Sequence, residues 1–380
     1  MRRQIGGRVW TGAWCVCACA AALPLVACGS GGGGNARSKG VPASGPASAQ
    51  AAGGAGGVGA ATPVAKPQPM NRAERTELRE QALSLSSNAA LAGKPEERAN
   101  AIEALTLTPS RLPPALDAGL ADSNAGVRAV AAMAVGKSRQ KEFVPKVRPL
   151  LTDDSPFVQS AALFALRKNG AEVDLTPLGQ MLFDPSPNVR AQAAFIMGML
   201  GEKSALGPLR EAAKDSMSRA NAGKVKIMDL QIAEARVKLG DEAALADIRT
   251  ALFPSRPEDL EAAVFAMQIT GELKDRASIN RLIQFTSPFD ESKQPWPGEV
   301  RMAAAMALAK MGQTEGSYIA REYFAGEKES LRAQSAHLFG FTGRPENLPI
   351  LQRMMNDPDG RVRVAAAAAI VRITGSGGGE

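Results

Sequence analysis

Residues 184–190 read Asp184-Pro185-Ser186-Pro187-Asn188-Val189-Arg190, and residues 357–363 read Asp357-Pro358-Asp359-Gly360-Arg361-Val362-Arg363. The two are one phrase: an acid and a proline, a polar turn, then a branched apolar residue followed by arginine. Related forms stand at Asp122 with Val127 and Arg128, and at Asp153 and Asp154 with Val158 and Gln159. Weaker ones put Leu260, Val300 with Arg301, and Leu331 with Arg332 in the same place. With the apolar residue as anchor, positions 127, 158, 189, 260, 300, 331 and 362 are separated by 31, 31, 71, 40, 31 and 31 residues. A fixed spacing of this size marks a repeat array. The gap of 71 has room for one more copy, which the sequence places at Val225.

After each anchor comes an alanine-rich stretch with helical spacing, such as Ala161 to Leu166 or Ala193 to Met197. Gly170, Gly201, Gly312 and Gly343 each follow their anchor by 12 residues, and glycine suits a helix end because it enters the left-handed conformation without steric cost. A second amphipathic segment then precedes the next acid, as in Phe143, Val144, Val147, Leu150 and Leu151. The unit is helix, turn, helix. Iterated over residues 71–375, it resembles the HEAT repeat family in the short form shared with phycobilin-lyase-like proteins. The resemblance implies an all-α fold, a curved α-solenoid of about nine stacked helix pairs, with the first pair (72–107) and the fifth (204–239) degenerate. One helix pair cannot bury its own apolar face, so stability comes from stacking neighbours.

Asp184 and Asp357 precede helices where a carboxylate accepts a hydrogen bond from an unpaired backbone N–H. The resemblance further implies a structural ladder in which Arg128, Arg190, Arg301, Arg332 and Arg363 pair with acids of adjacent repeats, of the kind at Asp122, Asp184 and Asp357. Val158 with Gln159 and Leu260 with Glu261 break the pattern, so the ladder is predicted to be interrupted there.

The N-terminus reads as an address. Arg2, Arg3 and Arg8 are followed by a mainly apolar run from Trp10 to Ala27, a charged region and an apolar region of signal-peptide length. The run ends Leu25-Val26-Ala27-Cys28-Gly29-Ser30, which resembles the lipobox of bacterial lipoproteins. That resemblance implies removal of residues 1–27 and acylation of Cys28 by two or three chains, which together anchor stably where a single chain is marginal. In such lipoproteins an aspartate directly after the cysteine retains the protein at the inner membrane. Gly29 stands there instead, so the expected location is the cell envelope, at the outer membrane facing the periplasm. From Gly29 to about Met70 the chain is Gly, Ala, Ser and Pro with almost no large apolar residue, a composition that cannot offset its ordering entropy. Residues 28–70 are therefore expected to be a flexible tether with a reach of about 35 Å. Residues 376–380 are expected to be a disordered tail.

Charge and rare residues remove most other functions. The chain carries +7, but residues 1–27 and 28–70 each hold three cations and no acid, so subtracting these six leaves +1 from Asn71 onward. A groove for a phosphate backbone needs surplus cations, which argues against nucleic acid. All four cysteines lie at or before Cys28, and the single histidine is His337. Thiolate zinc sites, Cys/His nucleophile pairs and multi-histidine metal sites are excluded together, so no metal and no cofactor are expected. Deoxyhypusine hydroxylases, one branch of HEAT-like proteins, hold two irons through several His-Glu pairs. His337, flanked by Ala336 and Leu338, cannot assemble such a site and is placed on a helix flank. Phycobilin lyases act on intracellular acceptors, unlike a chain expected to be exported. Neighbouring acids such as Asp241 and Glu242, or Asp290 and Glu291, have no spacing that ties them to a nucleophile.

One irregularity points to a partner. The spacing of 40 before Val300 means roughly nine extra residues, falling in Ser287 to Pro297, with Phe289 and with Trp296, the only tryptophan after residue 14. Insertions in repeat arrays map to loops along one edge, often the binding edge, and aromatics anchor interfaces. The alternative is that Trp296 folds back to cover a helix end. A smaller expansion near Ser216 to Lys224 is a second candidate. The sequence thus predicts a non-enzymatic, lipid-anchored scaffold that meets a protein partner in the envelope through Trp296 and Phe289. The competing readings are an envelope enzyme with an unrecognised carboxylate site and a protein tethering the envelope to the cell wall. Replacing Cys28 with serine is expected to move the protein from the membrane fraction to the soluble one; retention in membranes without a lipid label would refute the anchor.

Overall fold

The computed structural model describes residues 70–215, 217 and 221–375. The signal segment, Cys28, the tether before Met70, the tail and residues 216 and 218–220 of the 216–224 expansion lie outside the described residues. Nine helix pairs follow in order: α1 (Arg72–Ala92) and α2 (Pro95–Leu105); α3 (Pro113–Leu120) and α4 (Ala125–Lys137); α5 (Val144–Val147) and α6 (Pro156–Lys168); α7 (Thr176–Met181) and α8 (Pro187–Leu200); α9 (Leu206–Ala212) and α10 (Ala222–Lys238); α11 (Leu245–Ala251) and α12 (Leu260–Leu273); α13 (Ile279–Thr286) and α14 (Gly298–Lys310); α15 (Ile319–Tyr323) and α16 (Glu329–Thr342); α17 (Leu348–Met354) and α18 (Gly360–Gly375). The fold is the all-α solenoid that the repeat pattern predicts.

The even-numbered helices stack on one another in sequence order, and α18 then meets α2 and α1. The solenoid is therefore a closed ring, where the sequence predicted only curvature. Buried side chains of α1 and α2, such as Leu78, Ile102 and Leu105, share one apolar core with Val362, Ala366 and Ile370 of α18. Most odd helices, such as α3, α13, α15 and α17, pack mainly on their own even partners, which puts them on the wider, outer circumference, whereas α1 also lies against α18.

Local chemistry sets the boundaries. Pro95, Pro156 and Pro187 start α2, α6 and α8, where a missing N–H costs nothing. The Asn124 side chain accepts from Gly126 N at 2.9 Å and Val127 N at 3.2 Å to cap α4. Seven stacking helices end at a residue with positive φ: Arg139, Gly170, Gly201, Gly240, Lys274, Gly312 and Gly343. With the 12-residue offset, these stops put two anchors elsewhere than the sequence did. The hidden copy is anchored at Met228, wholly buried in α10, not at Val225. The next is at Ala262, not Leu260, because Lys274 is the stop of α12.

A second periodicity lies inside the first. Gly136, Gly198, Gly271 and Gly340 each stand nine residues after an anchor, facing Ala165, Ala235, Ala307 and Ala369 of the next stacking helix. A Cβ on these glycines would lie 3.0, 3.0, 2.8 and 2.9 Å from the facing alanine Cα atoms. Backbones therefore approach closely at α4/α6, α8/α10, α12/α14 and α16/α18. The intervening interfaces have Arg167, Val237, Ala309 and Val371 at that position and are looser. The structural unit is thus a double repeat. Gly198→Val is expected to cost about 1–3 kcal/mol through overpacking and to lower the thermal midpoint. Gly179→Ala, in α7 with no atom within 4 Å of the new Cβ, is expected to raise stability by about 0.5–1 kcal/mol. Equal midpoints for the two variants would refute the close-contact reading.

Candidate functional site

The arginine ladder comes first because it fixes the edge on which any site must sit. Arg128 donates to Asp153 of the next repeat through Nε at 2.8 Å and Nη2 at 3.0 Å, and its Nη1 reaches the Asp122 carbonyl of its own repeat at 2.8 Å. Arg332 repeats this toward Asp357 and the Gly326 carbonyl. Arg98, which the sequence reading missed because Lys94 occupies the turn, does the same toward Asp122 and the Gly93 carbonyl. Arg190 meets Asp215 at 2.8 Å.

The acids play a role slightly different from the one predicted. Asp122, Asp153, Asp184 and Asp357 accept from the backbone N–H two residues on, at Asn124, Ser155, Ser186 and Asp359. They therefore brace the turn before the helix instead of capping the helix's first turn. Arg301 also departs from expectation, pairing with Glu322 of α15 because the next turn, Gly326 to Lys328, has no aspartate. The predicted interruption at Gln159 is present: its amide donates only to the Asp153 carbonyl of its own repeat at 2.6 Å. At Leu260 and Glu261 the rung is replaced by a pair from the preceding outer helix, Arg249 of α11 with Asp275 at 2.6 Å.

The 287–297 insertion folds back along itself. Phe289 and Pro295 form an isolated bridge, Asp290 N donates to the Gln294 carbonyl at 2.8 Å, and Lys293 turns the chain at φ 59°. Trp296 N donates to the Pro288 carbonyl at 3.0 Å, and the half-buried indole packs on Phe285 with ring centroids 5.0 Å apart. Trp296 thus folds back over the end of α13, one of the two roles the sequence leaves open, and supports the loop. Phe289 remains 53% exposed. Next to it, Arg281 lies between the rings of Phe253, 4.4 Å away, and Phe285, 4.6 Å away, while Nε donates to the Leu252 carbonyl at 3.0 Å. That stack holds Phe253 at 62% exposure. Phe253 went unnoticed in the sequence because it sits in an ordinary outer-to-inner turn. The nearby Pro254 and Pro288 were the available signal. Two exposed phenylalanines thus stand on neighbouring outer-to-inner turns, Phe253 stacked on Arg281 and Phe289 in the hairpin that Trp296 closes.

A second cleft, of about 50 Å³, lies where the ring closes, between α2, α16 and α18, and includes Glu103, His337, Arg361 and Arg372. Burial and the charge of Arg372 pull the His337 pKa down to about 4, with Glu103 opposing and Lys310 adding to the shift. The volume has room for a few water molecules. Among the described residues, no three His, Cys, Asp or Glu side chains come together around a common ion position, and no helix is long and apolar enough to cross a membrane.

The family models for HEAT repeats match residues 85–167 and 112–182, a HEAT repeat model matches 348–376, and the PBS lyase HEAT-like repeat model matches 189–215. No curated protein matches. Among solved structures, human deoxyhypusine hydroxylase is similar at 16% identity and a TM-score of 0.34, over 78% of this chain and 98% of that one. The complex of CpcE and CpcF of phycocyanin lyase from a Nostoc species is similar at 18% identity and a TM-score of 0.31, over 70% and 94%. An engineered protein is similar at 17% identity and a TM-score of 0.22, over 62% and 97%.

The ladder yields a test with an internal control. Burial opposes ionisation of Asp153 and Asp357, but the guanidinium and backbone hydrogen bonds outweigh it and hold both carboxyls below the usual range. A carboxylate with a lowered folded pKa contributes stability above its unfolded pKa and loses it as pH falls through the folded one. Acid should therefore destabilise the ring below about pH 4, and Asp357→Asn at neutral pH should cost about 1.5–3 kcal/mol. Asp184→Asn keeps an oxygen to accept from Ser186 N and has no guanidinium rung to lose, so it should cost less than about 1 kcal/mol; equal losses in thermal unfolding would contradict the ladder. The described residues form an all-α solenoid, in which residues 85–182 and 348–376 match HEAT repeat models and residues 189–215 match the PBS lyase HEAT-like repeat.

Proposed function

We propose that this protein is a non-enzymatic, lipid-anchored scaffold of the bacterial envelope, held by acyl chains on Cys28, which meets a protein partner through the Phe253–Phe289 surface. The observation that carries the reading is the exposure of Phe253, stacked on Arg281, and of Phe289, in the hairpin closed by Trp296, on neighbouring turns. Exposed aromatics held rigid lose little entropy on binding, and such residues dominate interface energies. The stacking helices supply a rigid frame, and the chemistry-bearing residue types are too sparse to compete with this reading. The HEAT architecture, a repeated helical surface, is of the kind used for protein interaction.

The test is a pull-down from detergent-solubilised envelope with the full chain and with Phe253→Ala/Phe289→Ala. Neither ring is buried, so fold and thermal midpoint should be unchanged. A partner held through both rings should bind about thirtyfold more weakly or worse to the variant, the loss expected for about 2 kcal/mol. Equal recovery would refute the surface. Recovery of cell-wall material by both chains in place of a protein would favour the wall-tether reading.

A further inference from the structure

One position of the inner register holds a residue too small to fill it. Six residues after its anchor, each stacking helix from α4 to α16 carries a long side chain, from Met133 of α4 and Phe164 of α6 to Met306 of α14 and His337 of α16. On α2, where the rung Arg98 makes Glu97 the anchor, the residue is Glu103. On α18 it is Ala368. The cleft between α2, α16 and α18 lies over this alanine. Its floor is α18, with Ala365, Ala368 and Ala369, and its walls bear His337 and Glu103, the residues of the same register on the two neighbours. Arg361 and Arg372 stand toward its two ends, about 16 Å apart along the helix axis.

The polar groups of the cleft favour an anion. Among the described residues no group hydrogen-bonds either ring nitrogen of His337, so the donor and the acceptor of the neutral imidazole are both open to whatever fills the cleft. Arg372 stacks on Phe341 at 4.4 Å, and Lys310 lies 5.4 Å from the same ring. The acids nearby are engaged: Glu103 pairs with Lys137 at 3.2 Å, and Glu272 pairs with Lys310. Burial is the largest cause of the lowered His337 pKa, and among the charges Arg372 outweighs Glu103, with Lys310 adding to it. The field at the imidazole is therefore net cationic. Arg361 is held by Asp359 and Glu329, which leaves an incoming charge to Arg372.

We propose that this cleft binds a short-chain carboxylate, with its anionic head on Arg372 and the imidazole of His337 and its apolar stem on the alanines of α18. The space of a few water molecules suits an acid of about three carbons. A charge-assisted bond to the guanidinium supplies the hold, and the small floor limits the length of the stem. The site does not depend on the aromatic surface or on the lipid anchor.

His337 is the chain's one histidine, so its ring protons give an isolated NMR signal from inside the cleft. Propionate added to the full chain at neutral pH should shift that signal saturably at about millimolar concentration. Propionamide, of the same shape but uncharged, should not. N-acetylalanine, which mimics the carboxyl end of a peptide, separates two sources of the same head: tighter binding than propionate marks a chain end, and weaker binding marks a free acid. Ala368→Met gives α18 the residue that α4 and α14 carry in this register, and should fill the cleft and abolish the shift with the fold kept. Arg372→Gln should weaken binding at least about tenfold, and carries the comparison if Ala368→Met fails to fold. No saturable shift with either acid, an equal shift with propionamide, or binding unchanged in the folded variants would overturn the proposal.

Discussion

One guanidinium, repeated, is the constraint on which the architecture rests. Arg128 and Arg332 each donate backward to a carbonyl of their own turn and forward to the carboxylate of the next. That carboxylate in turn accepts the N–H that shapes its own turn. Each rung therefore fixes two turns and the interface between them, and a solenoid assembled this way has its rotation per repeat set at the turn edge. Without the rungs, alanine-rich helices would slide, because small side chains offer few interlocking ridges.

The aromatic surface depends on that rigidity. Phe253 and Phe289 sit on neighbouring turns of the same edge, and Arg281 bridges the repeats that carry them, bonding to the Leu252 carbonyl while stacking on Phe285. Their separation is set by helix packing. The seam cleft has more charge but less room, and His337, held neutral, adds no positive charge there near neutral pH.

Much of this was legible in the residues. The 31-residue phrase carried the fold, and Gln159 announced the break in the ladder because an amide has no charge to offer the next carboxylate. The double repeat was also written in the sequence: Gly136, Gly198, Gly271 and Gly340 are isolated glycines late in helical stretches, each costing helix stability unless a close neighbour repays it. They were passed over because the terminating glycines seemed to account for the residue type. Arg139 and Lys274 hid two helix stops, since a left-handed cap is seldom argued from a charged side chain. Ring closure could not be read at all. It depends on a small rotation added nine times over, and on Glu97 and Arg363, 266 positions apart, which no local pattern connects. Of the two roles open to Trp296 in the sequence, the structure shows the fold-back, because a large apolar ring beside Phe285 gains from being covered.

The alternation of close and loose interfaces has a mechanical meaning. Four glycine–alanine contacts make four stiff blocks, each of two repeats, joined by compliant seams. A ring of that kind distorts unevenly: load applied anywhere is taken up at the seams, so the circle yields toward a polygon while the blocks keep their internal geometry. Phe253 belongs to the turn entering α12 and Phe289 to the turn entering α14, and α12 with α14 is one such block. The aromatic surface therefore travels as a single piece when the ring flexes.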